Sequence, residues 1–432
     1  MVTMGGAKVR VGLLGCGNVG SALVQLILGD GEAISARTGI RLELAAVAVR
    51  SVAKEREVSV PEGILTHDAQ AVVSDPTVDV VVEVIGGIEP ARSLILQALK
   101  AGKPVVTANK ELLANVGSEL FEAATTTGVD LLFEAAVGGG IPLIRPLRES
   151  LAGERIRRVI GIVNGTTNYI LTRMIEQGAS YHDALAEAQG LGYAERDPTA
   201  DVEGYDAAAK AAILASVCFG VRVVAGDVYR EGISRITGAD IAHATRLGYV
   251  IKLLAVVERT DDDEVAVRVH PAMLPATHPL ASVRDSFNAV FVEGDAVGEL
   301  MLLGRGAGGM PSASAVLGDL LDAAHNARTG GAGRTVALRQ AAIRPVDDLQ
   351  SEYYLNLEVV DRPGVLAAVA GVFGDHQVSI RSMEQVGLGD EARLIFITHT
   401  ARERDVQACL RDLRGLDVVD QIGGLIRVIG AE

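Results

Sequence analysis

Tryptophan is missing from the 432 residues, and aromatic residues make up only 3% of them. A base-stacking surface for single-stranded nucleic acid is therefore excluded. Basic charge is also in deficit, with 40 Lys and Arg against 55 Asp and Glu and a net charge of −15, so the chain is not a binder of polyanions. The three cysteines, Cys16, Cys218 and Cys409, are odd in number and far apart, with no CxxC or Cys/His zinc spacing. That argues against a disulfide framework and for a reducing compartment. Apolar runs are short or interrupted, as Glu83 interrupts VDVVVEVIGG, and the start MVTMGGAKVRVGLLGCG has no apolar segment before a cleavage site. The expectation is a soluble cytoplasmic protein with no membrane partner. HExxH, GxSxG and GxxxxGK[ST] are absent, which removes zincin, hydrolase and P-loop readings.

Hydrophobic residues reach 49% and charged ones 22%, a composition that folds. The length suggests three domains, and 49 glycines without a collagen period must serve turns and ligand loops. From Lys8 the chain reads as strand, glycine turn, helix and second strand (42–49), with further strands at 78–85, 104–108 and 130–137 and helices after Pro90 and around 111–127. Strands alternating with helices predict an α/β fold with a Rossmann-like, doubly wound parallel sheet over 1–140. An α+β substrate and oligomerisation domain follows over 141–320, with 300–325 expected to return to the nucleotide domain. Residues 321–350 read as a linker. Over 351–432 the order βαββαβ predicts a ferredoxin-like domain.

Gly15, Gly17 and Gly20 form GxGxxG between strand and helix, where bare backbone can approach a pyrophosphate. The second strand ends on Arg50 rather than an acid. This suits the 2′-phosphate of NADP, or is a solvated surface arginine. A nicotinamide cofactor carries hydride, so the protein must supply orientation and a proton. Lys110 follows the strand PVVTAN, and Lys210 lies four residues after Asp206 on one helix face. Either could be catalytic, and a helix salt bridge explains Lys210 as well. Glu195, Asp197, Asp201 and Glu203 could receive an ammonium, bind a hard cation or form a solvated loop, and taken alone the loop is favoured. Glu134 before the glycines of FEAAVGGGIP marks a cation site or a flexible crossing between domains.

Together these stretches carry a resemblance over nearly the whole length. GLLGCGNVG, VTANKELLA, EAAVGGGIPLI, GIVNGTTNYIL, EAQGLGYAERDPTADVEGYDAAAKAAILA, GRGAGGMPSASAV and LEVVDRPGVLAAVAGVF resemble homoserine dehydrogenases that carry a C-terminal ACT domain. The resemblance implies NAD(P)-dependent interconversion of L-aspartate 4-semialdehyde and L-homoserine, with NADP as cofactor and NAD possible. It implies that Gly17, Asn18 and Val19 lie along the cofactor phosphates, with Arg50 near the adenosine phosphate and Gly192, Gly308 and Lys110 as further contacts. Glu195, Asp206 and Lys110 become substrate residues, and Lys210 takes the proton-donor position. Glu134, Val137, Gly139 and Ile141 resemble a monovalent cation site for sodium or potassium, in which one carboxylate and backbone carbonyls coordinate. The acidic loop thus changes from solvated surface to substrate site. Ser312 stands where many relatives carry Thr. The last domain implies L-threonine as feedback effector and a homodimer or homotetramer. Other ACT-bearing dehydrogenases, for prephenate or 3-phosphoglycerate, rely on a catalytic His and lack the central acidic stretch. A non-catalytic regulator would be expected to have lost Lys110, Asp206 or Lys210.

Overall fold

Valine-rich runs with little polar relief can leave neither face in water, so they pair into a parallel sheet covered on both sides. In the computed structural model, which describes residues 7–56, 58–260, 264–331, 338–340, 342–387 and 391–430, the chain begins with β1 (Ala7–Leu14), α1 (Asn18–Gly29), α2 (Gly31–Thr38), β2 (Ile40–Ala48), β3 (Leu65–Thr66), α3 (Ala69–Ser74), β4 (Val80–Glu83), α4 (Ala91–Lys100), β5 (Val105–Thr107), α5 (Lys110–Thr127) and β6 (Leu131–Leu132). Their sheet is parallel, in the order β3-β2-β1-β4-β5-β6. This is the doubly wound order, and it reverses direction between β1 and β4, where such folds bind nucleotides.

Residues Met1–Val159, Ala209–Val228 and Asn288–Ala341 make one compact unit. Ile160–Ala208, Tyr229–Phe287 and Ala342–Glu432 make a second. β7 (Ile156–Ile162) carries the chain into the second unit, where α6 (Gly165–Gln177), α7 (Tyr181–Gly190) and α8 (Thr199–Val202) follow, and α9 (Tyr205–Phe219) carries it back. β8 (Tyr229–Arg230), α10 (Gly238–Arg246), β9 (Tyr249–Arg259) and β10 (Val265–Pro275) belong to the second unit. β11 (Phe287–Gly294), β12 (Gly298–Arg305) and α11 (Gly309–Thr329) then return to the first. There Ala313, Val316, Leu320, Ala323 and Ala324 of α11 join Leu13, Leu23 and Val106 in one buried cluster. Burial of each such leucine or valine contributes roughly 1.5–3 kcal/mol.

The expected linker ends in ordered structure on both sides, at α11 and at β13 (Gln350–Val360). Positions 332–337 and 341 within it lie outside the described residues. Beyond it run α12 (Val365–Asp375), β14 (Ile380–Gly387), β15 (Glu391–Thr398), β16 (Ala401–Arg402), α13 (Glu403–Leu413) and β17 (Val419–Val428). The order β17-β13-β15-β14 is antiparallel throughout and closes on a core of Tyr353, Leu355, Val369, Phe373, Phe396 and Leu410. The outer end of β17 pairs with β10 through Ala272 and Met273.

One expectation is corrected. The strand read over 130–137 stops at Leu132, and Glu134–Ala136 is a 3-10 turn. The reason is polar: the Glu134 N–H donates to Asp319 Oδ2 at 2.7 Å, and its carboxylate turns back onto residues 143–145.

Candidate functional site

Within the first unit, the ends of β1, β2 and β4 open a cleft of about 770 Å³, lined among others by Gly15, Cys16, Gly17, Asn18, Arg50 and Ile85. The glycine turn has the form a dinucleotide needs. Gly15 has φ +102°, and a Cβ there would lie 2.8 Å from the Val84 carbonyl. Gly20 lets the helix press on the turn, since a Cβ would meet the Gly15 carbonyl at 2.3 Å. Gly17 has nothing within 4 Å of its Cβ position, and it caps α1 without a side-chain hydrogen bond and with no acid in the first turn. The first N–H groups of this twelve-residue helix therefore have no acid in their own turn to neutralise them, which makes the helix start a place for a phosphate.

Four of the residues read from sequence, Gly15, Gly17, Asn18 and Arg50, line this one cleft. Val19 instead packs its side chain on the sheet core, and Gly20 serves close packing. Lys54, Arg56 and His67 also line the cleft and escaped the sequence reading. Arg56 donates to the carbonyls of Ser51 at 2.6 Å and Lys54 at 2.6 Å, which closes the loop that presents Arg50 and Lys54. Arg50, Lys54 and Arg56 outnumber the one carboxylate on this rim, Glu55, and a net cationic end of β2 suits a phosphorylated ribose.

Lys110 opens α5 directly after β5, exposed, beyond the Asn109 cap whose Oδ1 accepts from Leu112 N–H at 3.1 Å. Gly308 (φ +126°) caps α11, and the next residue, Gly309, comes so close to the glycine turn that a Cβ would lie 3.1 Å from the Asn18 carbonyl. The glycines at 138–140 and 304–306 meet one another: a Cβ on Gly139 would strike the Gly306 carbonyl at 2.4 Å, and Gly140 N–H donates to Arg305 at 3.0 Å. At Glu134, the carboxylate accepts the backbone N–H groups of Leu143, Ile144 (2.7 Å) and Arg145 (2.9 Å). Three backbone N–H groups thus take most of the acceptor sites of this carboxylate. Among the described residues no group of three or more His, Cys, Asp or Glu is arranged to hold a metal.

In the second unit, Gly192 (φ +77°, open around its Cβ position) and the exposed Glu195 lie between α7 and α8. Asp197 Oδ1 accepts the N–H at 3.1 Å and the hydroxyl at 2.7 Å of Thr199, the first residue of α8. Asp201 and Asp206 converge on one amide that sequence reading did not single out: Asn164 Nδ2 donates to Asp201 Oδ1 at 2.6 Å and to Asp206 Oδ2 at 2.9 Å, while its Oδ1 caps α6 through Thr167 N–H. Asp206 and, where α9 has passed back into the first unit, Lys210 occupy successive turns of one face of that helix, at 9% and 7% exposure. A carboxylate held by a neutral amide and a lysine buried one turn away can polarise an oxygen and move a proton.

The comparisons with known proteins agree with this architecture. Family models described as "Homoserine dehydrogenase, NAD binding domain", "Homoserine dehydrogenase" and "ACT domain" match residues 15–134, 142–321 and 353–418. Homoserine dehydrogenases of Mycobacterium tuberculosis and Corynebacterium glutamicum are each 51% identical and covered over 98% and 96% of their own lengths, with 98% of this chain matched in both. Among solved structures, a homoserine dehydrogenase from Thiobacillus denitrificans superposes with TM-score 0.92 at 42% identity over 98% of both chains. A hyperthermophilic archaeal homoserine dehydrogenase in complex with NADPH matches 74% of this chain and 98% of its own at TM-score 0.61 and 30% identity. No helix among the described residues is long and apolar enough to cross a membrane. The chain thus belongs to the homoserine dehydrogenase family of NAD(P)-binding oxidoreductases, in the form that ends in an ACT domain.

Proposed function

We propose that this chain interconverts L-aspartate 4-semialdehyde and L-homoserine with NADP in preference to NAD, on the route to threonine and methionine, and that L-threonine inhibits it through the ACT domain. The observation that carries the chemical assignment is the buried pair on α9, Asp206 held by Asn164 and Lys210 one turn on. The bound nicotinamide supplies or takes up the hydride. The chain's own residues do the rest. Glu195 receives the substrate ammonium and Lys110 its carboxylate, which orients the aldehyde carbon. Lys210 gives the alkoxide oxygen its proton, or removes it in the reverse direction, with Asp206 polarising it. Arg50, joined by Lys54, meets the 2′-phosphate, and Gly192 and Gly308 bring backbone to the cofactor. A sodium or potassium ion would be held at Glu134, Val137, Gly139 and Ile141. A cytoplasmic homodimer or homotetramer completes the reading.

Initial rates of homoserine oxidation with NADP and with NAD, each with and without threonine, test it. No turnover with either cofactor would overturn the activity, while insensitivity to threonine would remove only the regulation. Lys210→Ala should lower kcat by roughly 100-fold or more, the scale of a lost proton donor, with cofactor affinity held within a few fold. Near-normal turnover in that variant would sink the proton-donor role.

A further inference from the structure

Glu83 ends β4, and its side chain is fully buried. From sequence it is only the residue that interrupts an apolar run. An ionised carboxylate out of water is costly unless its oxygens are satisfied, and the donors that reach this one are all neutral. Oε1 accepts the N–H groups of Ile85 at 2.8 Å and Gly86 at 3.1 Å, and Oε2 accepts the Thr107 hydroxyl at 2.6 Å. Thr107 Oγ1 in turn accepts Asn109 N–H at 3.0 Å, and Asn109 Nδ2 donates to the Gly87 carbonyl at 2.7 Å. The ring closes on itself. It joins the turn after β4 to the turn after β5.

Both turns matter to the site. Val84 and Ile85 form the wall against which Gly15 is pressed, within 3 Å of where its Cβ would be, and both line the dinucleotide cleft with Gly86. On the other side, Asn109 caps α5, whose first residue is Lys110. A carboxylate suits this junction better than an amide. The Thr107 oxygen already accepts from Asn109, so its own proton must go to an acceptor, and a glutamine would present N–H there.

We propose that Glu83 is a positioning residue of the cofactor site: through Oε1 it sets the Val84–Gly86 wall of the dinucleotide cleft, and through Oε2, Thr107 and Asn109 it sets the start of α5 and so Lys110. The two oxygens have separable duties. The first rests on dinucleotide binding alone, and the second on the role proposed above for Lys110.

The test is nucleotide affinity, read by NADPH fluorescence, alongside kcat at saturating cofactor and amide hydrogen exchange of the unliganded protein. Glu83→Ala should weaken NADPH binding by about tenfold, as for a lost pair of buried hydrogen bonds, lower kcat, and speed exchange at Ile85 and Gly86. Glu83→Gln keeps an oxygen for the wall and Thr107→Val removes only the link to α5. Each should hold NADPH affinity within about threefold and protection at Ile85 and Gly86, while kcat falls. Wild-type NADPH affinity in folded Glu83→Ala overturns the proposal. So does an affinity loss in Glu83→Gln and Thr107→Val that equals their loss of kcat. If Glu83→Ala does not fold, the other two variants still decide, since wild-type affinity together with wild-type kcat in both overturns it. Undiminished turnover in Lys110→Ala would refute the role of Lys110 separately, leaving the affinity result to judge the wall.

Discussion

Asp319 shows how one buried side chain binds local chemistry to stability. It is 3% exposed on α11, accepts the Glu134 N–H and pairs with Arg145 at 3.0 Å. Burial pushes its carboxyl up to about 7 and the nearby Glu134 charge adds to that, against the Glu134 N–H and the Arg145 guanidinium. A folded-state value above the unfolded one means that the native state holds the extra proton between about pH 4 and pH 7. This contribution to stability is therefore complete at low pH and is lost as pH rises to about 7, by at most roughly 1.4 kcal/mol per pH unit. Asp319→Asn keeps an acceptor for Glu134 and should flatten that slope. Denaturant unfolding at pH 5 and pH 8 reads it, and an unchanged difference between the two pH values would remove Asp319 as its source.

At the scale of elements, strands and helices are tied by polar joints at their ends as much as by apolar faces. β17 is the example in the second unit. Arg427, 2% exposed, donates from Nε to Glu403 Oε2 at 2.9 Å and from Nη1 to Glu231 Oε1 at 2.8 Å, and Glu403, also 2% exposed, takes the Tyr353 hydroxyl at 2.9 Å. Arg427→Met alone leaves a buried carboxylate without its cation and should cost about 3–5 kcal/mol. Adding Glu403→Leu removes that buried carboxylate and should restore part of the loss, the remainder lying in Glu231 and the Tyr353 hydroxyl, which lose these partners. Chemical denaturation of the single and double variants checks the pattern, which equal losses in both would contradict.

For the whole molecule, the same joint bears on whether the ACT domain can be removed. Strand β17 pairs with β10 through Ala272 and Met273, and Arg427 is shared with Glu231 next to β8. Cutting the chain after Leu349 would bare the β10 edge and strip Glu231 of its partner. The truncated protein is expected to melt well below the full chain and to aggregate, as an uncovered apolar edge does. A thermal melt equal to that of the full chain would show that residues before Leu349 need no cover.

Local demands were legible in the sequence. Gly15, Gly17 and Gly20 announced the nucleotide turn because φ and close approach are properties of a few adjacent residues. The alternation of strand and helix announced the doubly wound sheet, and the βαββαβ order the ACT fold, because periodicity is local too. Spacing placed Lys110 after β5 and Asp206 and Lys210 on one helix face, but it left a salt bridge as good a reading, and only the family resemblance gave them roles. What spacing could not reach were partners brought together by folding: Glu83 with Thr107 across two strands, Asn164 with Asp206 across 42 residues, and Arg427 with Glu231. The strand expected through Glu134 failed for the same reason, since its carboxylate is drawn onto N–H groups that only the completed turn presents. Sequence by itself determined which segments could be strands, helices and phosphate turns. Tertiary structure alone decided where each buried charge finds its donors, because that cost is met by groups far away along the chain.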